Sequence, residues 1–136
     1  MRKLICAIDF DDTIAYKTDN LMPEKLLPNA KEVIDWLSNR FYIIVWTCRS
    51  KDEDLETIEN FLDANDIYYD EINENYPGLD FETSRKIYYD ILIDDKSLMP
   101  IDWLKIKEQM KEWLFENTID SIMEEIDFAL TIKKDA

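Results

Sequence analysis

The sequence predicts an α/β fold built on a parallel sheet. Two observations predict it. Short apolar runs alternate with stretches of helical periodicity, and the runs end in acidic or hydroxyl residues. Strands that alternate with helices pair in parallel through right-handed crossovers. In such sheets ligands bind beyond the carboxyl ends of the strands. The strand-end residues are therefore the ones to read for chemistry.

The first run, residues 3–10, is apolar and ends in acid, as a buried strand does. Residues 11–27 are polar and irregular, and read as a loop or small flap. Pro28 suits the first turn of a helix, and Ala30, Val33, Ile34 and Leu37 repeat at helical spacing to about Arg40. Residues 41–46 form a second buried strand, followed by Thr47-Cys48-Arg49-Ser50. Asp52 is placed to cap a second helix whose inner face carries Leu55, Ile58, Phe61 and Leu62. Ile67 to Ile72 is a third strand, and Asn73 to Thr83, with Pro77 and Gly78, is a loop. Residues 91–93 are a fourth strand ending in Asp94-Asp95. The tail reads as one helix through Ile101, Leu104, Met110, Trp113 and Leu114. A second carries a seam of Phe115, Ile119, Ile122, Ile126 and Ala129. The seam serves either packing against the sheet's helices or a homo-oligomer.

The whole, residues 1–136, reads as a single domain with a core over about 1–105 and a helical extension over about 101–134. The apolar fraction of 46% supports a packed interior. A net charge of −15 disfavours long nucleic acids and anionic membrane surfaces. With no histidine, Ser-His-Asp and Cys-His catalysis and the usual zinc sites are excluded. Cys6 and Cys48 are too few for a disulfide scaffold, so a reducing, cytoplasmic location is expected. The N-terminal apolar run is too short for a signal peptide.

Asp9-x-Asp11 at a strand end offers a carboxylate that could attack phosphorus and a second that could shuttle the proton. Such a pair repels a phosphate unless a cation intervenes, and Mg²⁺ suits hard oxygen ligands. Asp94-Asp95 offers further anionic ligands, Thr47 a hydroxyl donor and Lys86 a positive charge.

In these four segments, taken in order, the chain resembles the haloacid dehalogenase (HAD) superfamily of phosphohydrolases. Asp9-x-Asp11-x-Thr13 matches its first motif, the strand ending at Thr47 its second, Lys86 its third and Ile91-Leu-Ile-Asp94-Asp95 its fourth. The resemblance covers residues 3 to about 105. It implies a Rossmann-like, three-layer αβα fold with strand order 4-1-2-3. It implies Asp9 as nucleophile and Mg²⁺ ligand, and Asp11 as general acid/base with its backbone carbonyl on the metal. Asp95 would be the more direct of the paired ligands, with Asp94 close behind it, and Thr47 and Lys86 would bind the phosphoryl group. Neither gap between motifs has room for a cap domain, so the chain looks like a small capless member with extra C-terminal helices. Trp46-Thr47-Cys48-Arg49 and Ser84-Arg85-Lys86 are similar to segments of that subgroup. Cys48 and Arg49 are candidate substrate contacts, the alternatives being a packing role for Cys48 and an ion pair with an acid for Arg49. Asp12 departs from the resemblance, since many relatives carry glycine there.

The expected activity is Mg²⁺-dependent hydrolysis of a phosphate monoester, with a small phosphorylated metabolite such as a nucleotide or sugar phosphate as substrate. Alternatives are a phosphotransferase using the same site and a non-catalytic, receiver-like phosphate-binding module. In receivers the phosphorylated acid stands at a middle strand end, where this chain has Thr47.

Overall fold

The computed structural model describes residues 3–97 and 100–135. The chain divides into two compact units, Met1–Trp103 and Leu104–Ala136. The first unit holds strands β1 (Ile5–Ile8), β2 (Tyr42–Val45), β3 (Glu71–Ile72) and β4 (Ile91–Ile93), with helices α1 (Ala30–Ser38) and α2 (Asp52–Ala64). The sheet is wholly parallel in the order β3-β2-β1-β4, the order the resemblance implied. The architecture is α/β, Rossmann-like and three-layered.

Register follows from burial. β1 is buried along its whole length, because it is central and covered on both faces. Cys6 lies opposite Ile43 on β2 and Ile91 on β4, and Ile8 opposite Val45 and Ile93. Side chains alternate across a strand, so Ile5, Ala7 and Ile44 gather on one face with Ile87. That face is covered by the irregular segment before β4, through Tyr76, Leu79, Tyr88 and Tyr89, where a helix would be usual. Tyr42 and Tyr76 meet there edge to face, with ring centroids 4.8 Å apart.

Several element ends differ from the sequence reading. α1 begins after Pro28, because Asn29 takes a left-handed φ of 65° that no helix accommodates. Asp52 is the first helical residue of α2 and Lys51 holds the cap position without a side-chain cap bond. Asp52, Glu53 and Asp54 instead place three acids at the positive end of the helix. On α2, Ile58 and Leu62 are buried, while Phe61 packs edge to face with Phe10 at 5.9 Å. β3 shrinks to two residues at the sheet edge, where only one neighbour supplies ladder bonds.

The second unit is helical. α3 runs without a break over Trp103–Asp135, not as two helices, because neither glycine nor proline interrupts it. Within it Phe115, Ile119, Ile122 and Ile126 are exposed. Among the described residues, no helix is long and apolar enough to cross a membrane.

Candidate active site at the carboxyl edge of the sheet

The ends of β1, β2 and β4 border one cavity of about 530 Å³, lined by Asp9, Asp11, Thr47, Cys48, Arg49, Asp94 and Asp95. Seven of the eight candidate residues are thus brought together. Asp9 follows β1 directly, and its N–H donates to the Ile93 carbonyl at 2.9 Å, which locks the β1 and β4 ends in step.

Thr13, fully buried, joins the two acidic segments. Its hydroxyl donates to Asp9 Oδ2 at 3.1 Å and accepts the Asp95 N–H at 3.0 Å. Its carbonyl accepts the Trp103 indole N–H at 2.9 Å. The turn after Phe10 supports this arrangement. Asp12 has φ 58°, a left-handed conformation that explains why glycine is expected there, and its carboxylate compensates by accepting the Lys17 N–H at 2.9 Å. The flap is pinned by pairing of 14–16 with 25–27, through Tyr16 N–H to the Lys25 carbonyl and Leu27 N–H to the Ile14 carbonyl.

Asp9, Asp94 and Asp95 each present a carboxylate oxygen, and these oxygens lie within 4.8 Å of one another. Burial pushes the Asp9 carboxyl up to about 7, helped by its hydrogen bond with Asp95 and the charge of Asp94, while the Thr13 hydroxyl works the other way. Three hard oxygen donors that destabilise one another's charge are a donor set suited to a divalent cation such as Mg²⁺. Asp94 also turns the chain, accepting the Lys96 N–H at 3.0 Å. The Lys96 ammonium lies 3.8 Å from Asp95 and lines the cavity.

Asp11 is held by Arg49, whose Nε and Nη2 donate to its two carboxylate oxygens at 3.0 and 2.7 Å. Thr47 is buried at the β2 end. Its N–H donates to the Asn73 side-chain oxygen at 2.8 Å, and its carbonyl accepts the Asn73 amide at 3.0 Å. Asn73, with φ 58°, opens the 73–78 loop and ties it to Thr47. Cys48 is exposed and Cys6 buried, and both thiols are free. Burial raises the Cys6 pKa, which suits a packing residue.

Lys86 is the exception. It borders a separate cavity with Thr83, Ser84, Tyr88 and Tyr89, and its ammonium lies 5.3 Å from the Tyr89 ring centroid. The cause is the path of the chain. Asp90 bonds both backbone groups of Ile5, at the amino end of β1, so the segment before β4 enters the sheet from the edge opposite the acids. In the sequence Lys96 is a rival to Lys86 because it directly follows the acidic pair, and the loop that Asn73 opens is one that could border the site; neither is among the eight candidates.

The structure of a conserved protein from Bacteroides thetaiotaomicron resembles this one with a TM-score of 0.68 and 30% sequence identity, over 82% of this chain and 92% of that one. The chain belongs to the family of that conserved protein. No family model matches the chain, and no curated protein sequence does.

Proposed function

We propose that the chain is a Mg²⁺-dependent phosphate-monoester hydrolase of HAD type that works through an aspartyl-phosphate on Asp9. The observation that carries this reading is the convergence of Asp9, Asp94 and Asp95 from two strand ends, in one cavity with Asp11. A cluster of acids alone is common on protein surfaces. This cluster is partly buried, costs charge repulsion and sits at the ligand-binding edge of a parallel sheet.

Asp9, Asp95 and Asp94 would hold Mg²⁺, with the Asp11 backbone carbonyl as the resemblance implies. Bound there, the cation would supply the positive charge that lets a carboxylate and a phosphate approach. A carboxylate oxygen of Asp9 attacks phosphorus, the bond to the leaving oxygen breaks, and Asp11 gives that oxygen a proton. A water then attacks the phosphorus of the aspartyl-phosphate, Asp11 takes a proton from it, and inorganic phosphate leaves Asp9 free. Thr47 at the cavity wall is placed to donate to a phosphoryl oxygen. Lys96, with Lys17 and Lys51, offers a cationic side chain at this cavity, whereas Lys86 borders another.

The cavity volume suits a small phosphorylated metabolite. The free thiols fit a reducing, cytoplasmic setting. The test is phosphate release over a panel of sugar phosphates, nucleotides and aryl phosphates, with Mg²⁺ or with EDTA. Turnover is expected only with the metal, and Asp9→Asn is expected to fold and be inert. An Asp9→Asn protein that turns over normally refutes the assignment.

A further inference from the structure

Arg49 is a buried cation held by several partners, and the reaction above assigns it no task. It is 9% exposed in a chain whose charged residues otherwise lie mostly at the surface. Its Nε and Nη2 edge grips both oxygens of Asp11, its Nη1 donates to the Leu21 carbonyl at 2.7 Å, and its guanidinium lies 5.6 Å from the Phe10 ring centroid. Its backbone N–H donates to the Thr47 hydroxyl at 3.2 Å. One side chain thus ties the flap, the end of β2 and the carboxylate two residues beyond the nucleophile.

We propose that Arg49 is a positioning residue that fixes the Asp11 carboxylate for proton transfer and couples its orientation to the flap at Leu21. The inference rests on the hydrolase reading. A carboxylate on a turn has two soft side-chain torsions, and proton transfer needs the donor within hydrogen-bond reach of the leaving oxygen. A planar fork with two parallel bonds removes that freedom where a single ammonium would not. The Nε and Nη2 edge is also one that would otherwise take a phosphate bidentately, and here it is occupied by Asp11. That argues against Arg49 as a direct substrate ligand. Leu21, a non-glycine residue with φ 62°, has its carbonyl held by the same guanidinium.

The step affected is the first one. Asp9 forms the bond to phosphorus, the bond to the leaving oxygen breaks, and the proton on Asp11 passes to that oxygen. A nitrophenolate leaves without this proton, whereas an alkoxide does not. The test measures kcat/KM, which reports the steps through formation of the aspartyl-phosphate, for 4-nitrophenyl phosphate and a primary alkyl phosphate. Wild type, Arg49→Gln and Arg49→Lys are compared, with circular dichroism and melting to confirm folding. Arg49→Gln is expected to lose about 10- to 100-fold on the alkyl ester and under about threefold on the aryl ester, since general acid catalysis contributes ~10²–10⁴-fold. Arg49→Lys is expected to lie between, because it keeps the charge and lacks the fork. If Arg49→Gln does not fold, the same split in Arg49→Lys decides the matter.

Equal losses on both esters would mean a structural or substrate-binding role and would overturn the proposal. So would unchanged kinetics in both variants. Wild-type protein inert on both esters with Mg²⁺ would overturn the hydrolase reading and the positioning role with it. An active wild type with equal losses overturns the positioning role alone.

Discussion

Thr13→Val removes one oxygen and keeps the shape of the side chain, so its effect isolates the hydrogen bonds that join the two acidic segments. Thr13 is fully buried. Its hydroxyl accepts the Asp95 N–H at 3.0 Å and donates to Asp9 at 3.1 Å. Valine leaves the N–H without that acceptor, which costs about 1–3 kcal/mol. Losing the bond to the half-buried Asp9 adds about 1 kcal/mol. A buried methyl in place of the hydroxyl returns up to about 1 kcal/mol. The net is a destabilisation of about 1–3 kcal/mol, or a fall in Tm of about 4–12 °C at ~4 °C per kcal/mol. The assay is urea unfolding followed by circular dichroism, in EDTA, with Thr13→Ser as the control that keeps both bonds and loses only the methyl. A Thr13→Val protein within about 0.5 kcal/mol of wild type would refute the claim that this hydroxyl holds Asp9 and Asp95 together.

Further expectations concern charge and assembly. The Asp9 carboxyl is raised from 3.8 to about 7, so the folded state holds a proton there that the unfolded chain releases. The stability this confers is complete below about pH 4 and is lost as pH rises through 7. Discounted for the part of Asp9 that water reaches, it amounts to about 1–2 kcal/mol. Metal-free protein is therefore expected to lose this contribution between about pH 4 and 7, and the rise in Tm on adding Mg²⁺ is expected to be larger at about pH 8 than at about pH 5; an equal rise at both pH values counts against the acid cluster as the binding site. Lys96→Met is expected to raise KM for a phosphate ester about fivefold, as loss of one exposed charge contact of ~1 kcal/mol would. Lys86→Met should leave KM within about twofold, a difference that steady-state kinetics reads directly and that would be reversed if Lys86 were the phosphate ligand. We further propose that the seam of Phe115, Ile119, Ile122 and Ile126 pairs with a second copy of the chain. Light scattering after size exclusion should then show a dimer for the wild type and a monomer for Ile122→Glu, and a monomeric wild type would rule this out.

The strand and helix alternation, the parallel sheet and the placing of acids at strand ends were legible in the sequence, because each is a local signal. The apolar runs that became the central strands β1 and β2 need only to be buried on both faces. The order of the sheet followed from the resemblance, and the structure agrees. The ends of elements were less legible. Asn29 and Asp12 adopt left-handed φ values that depend on the turns around them, and β3 is short because only β2 pairs with it.

The site divides in the same way. Asp9, Asp11, Thr47, Asp94 and Asp95 could be named from the sequence because they follow strands that had to be parallel. Their partners could not. Thr13 bonds Asp95 across a separation of 82 residues, and Arg49 bonds Asp11 across 38. Those pairings depend on which strand ends lie side by side and how the flap folds over them. Lys86 shows the reverse: its spacing suited a phosphate ligand, but Asp90 binds to Ile5 at the other end of β1 and carries Lys86 to another cavity. The sequence by itself determined which chemistry stands at the ends of the strands, since burial forces apolar runs inside and acids to their ends. Only the tertiary structure decided which acids share a cavity and which cation holds Asp11, because those contacts form between residues far apart in the chain.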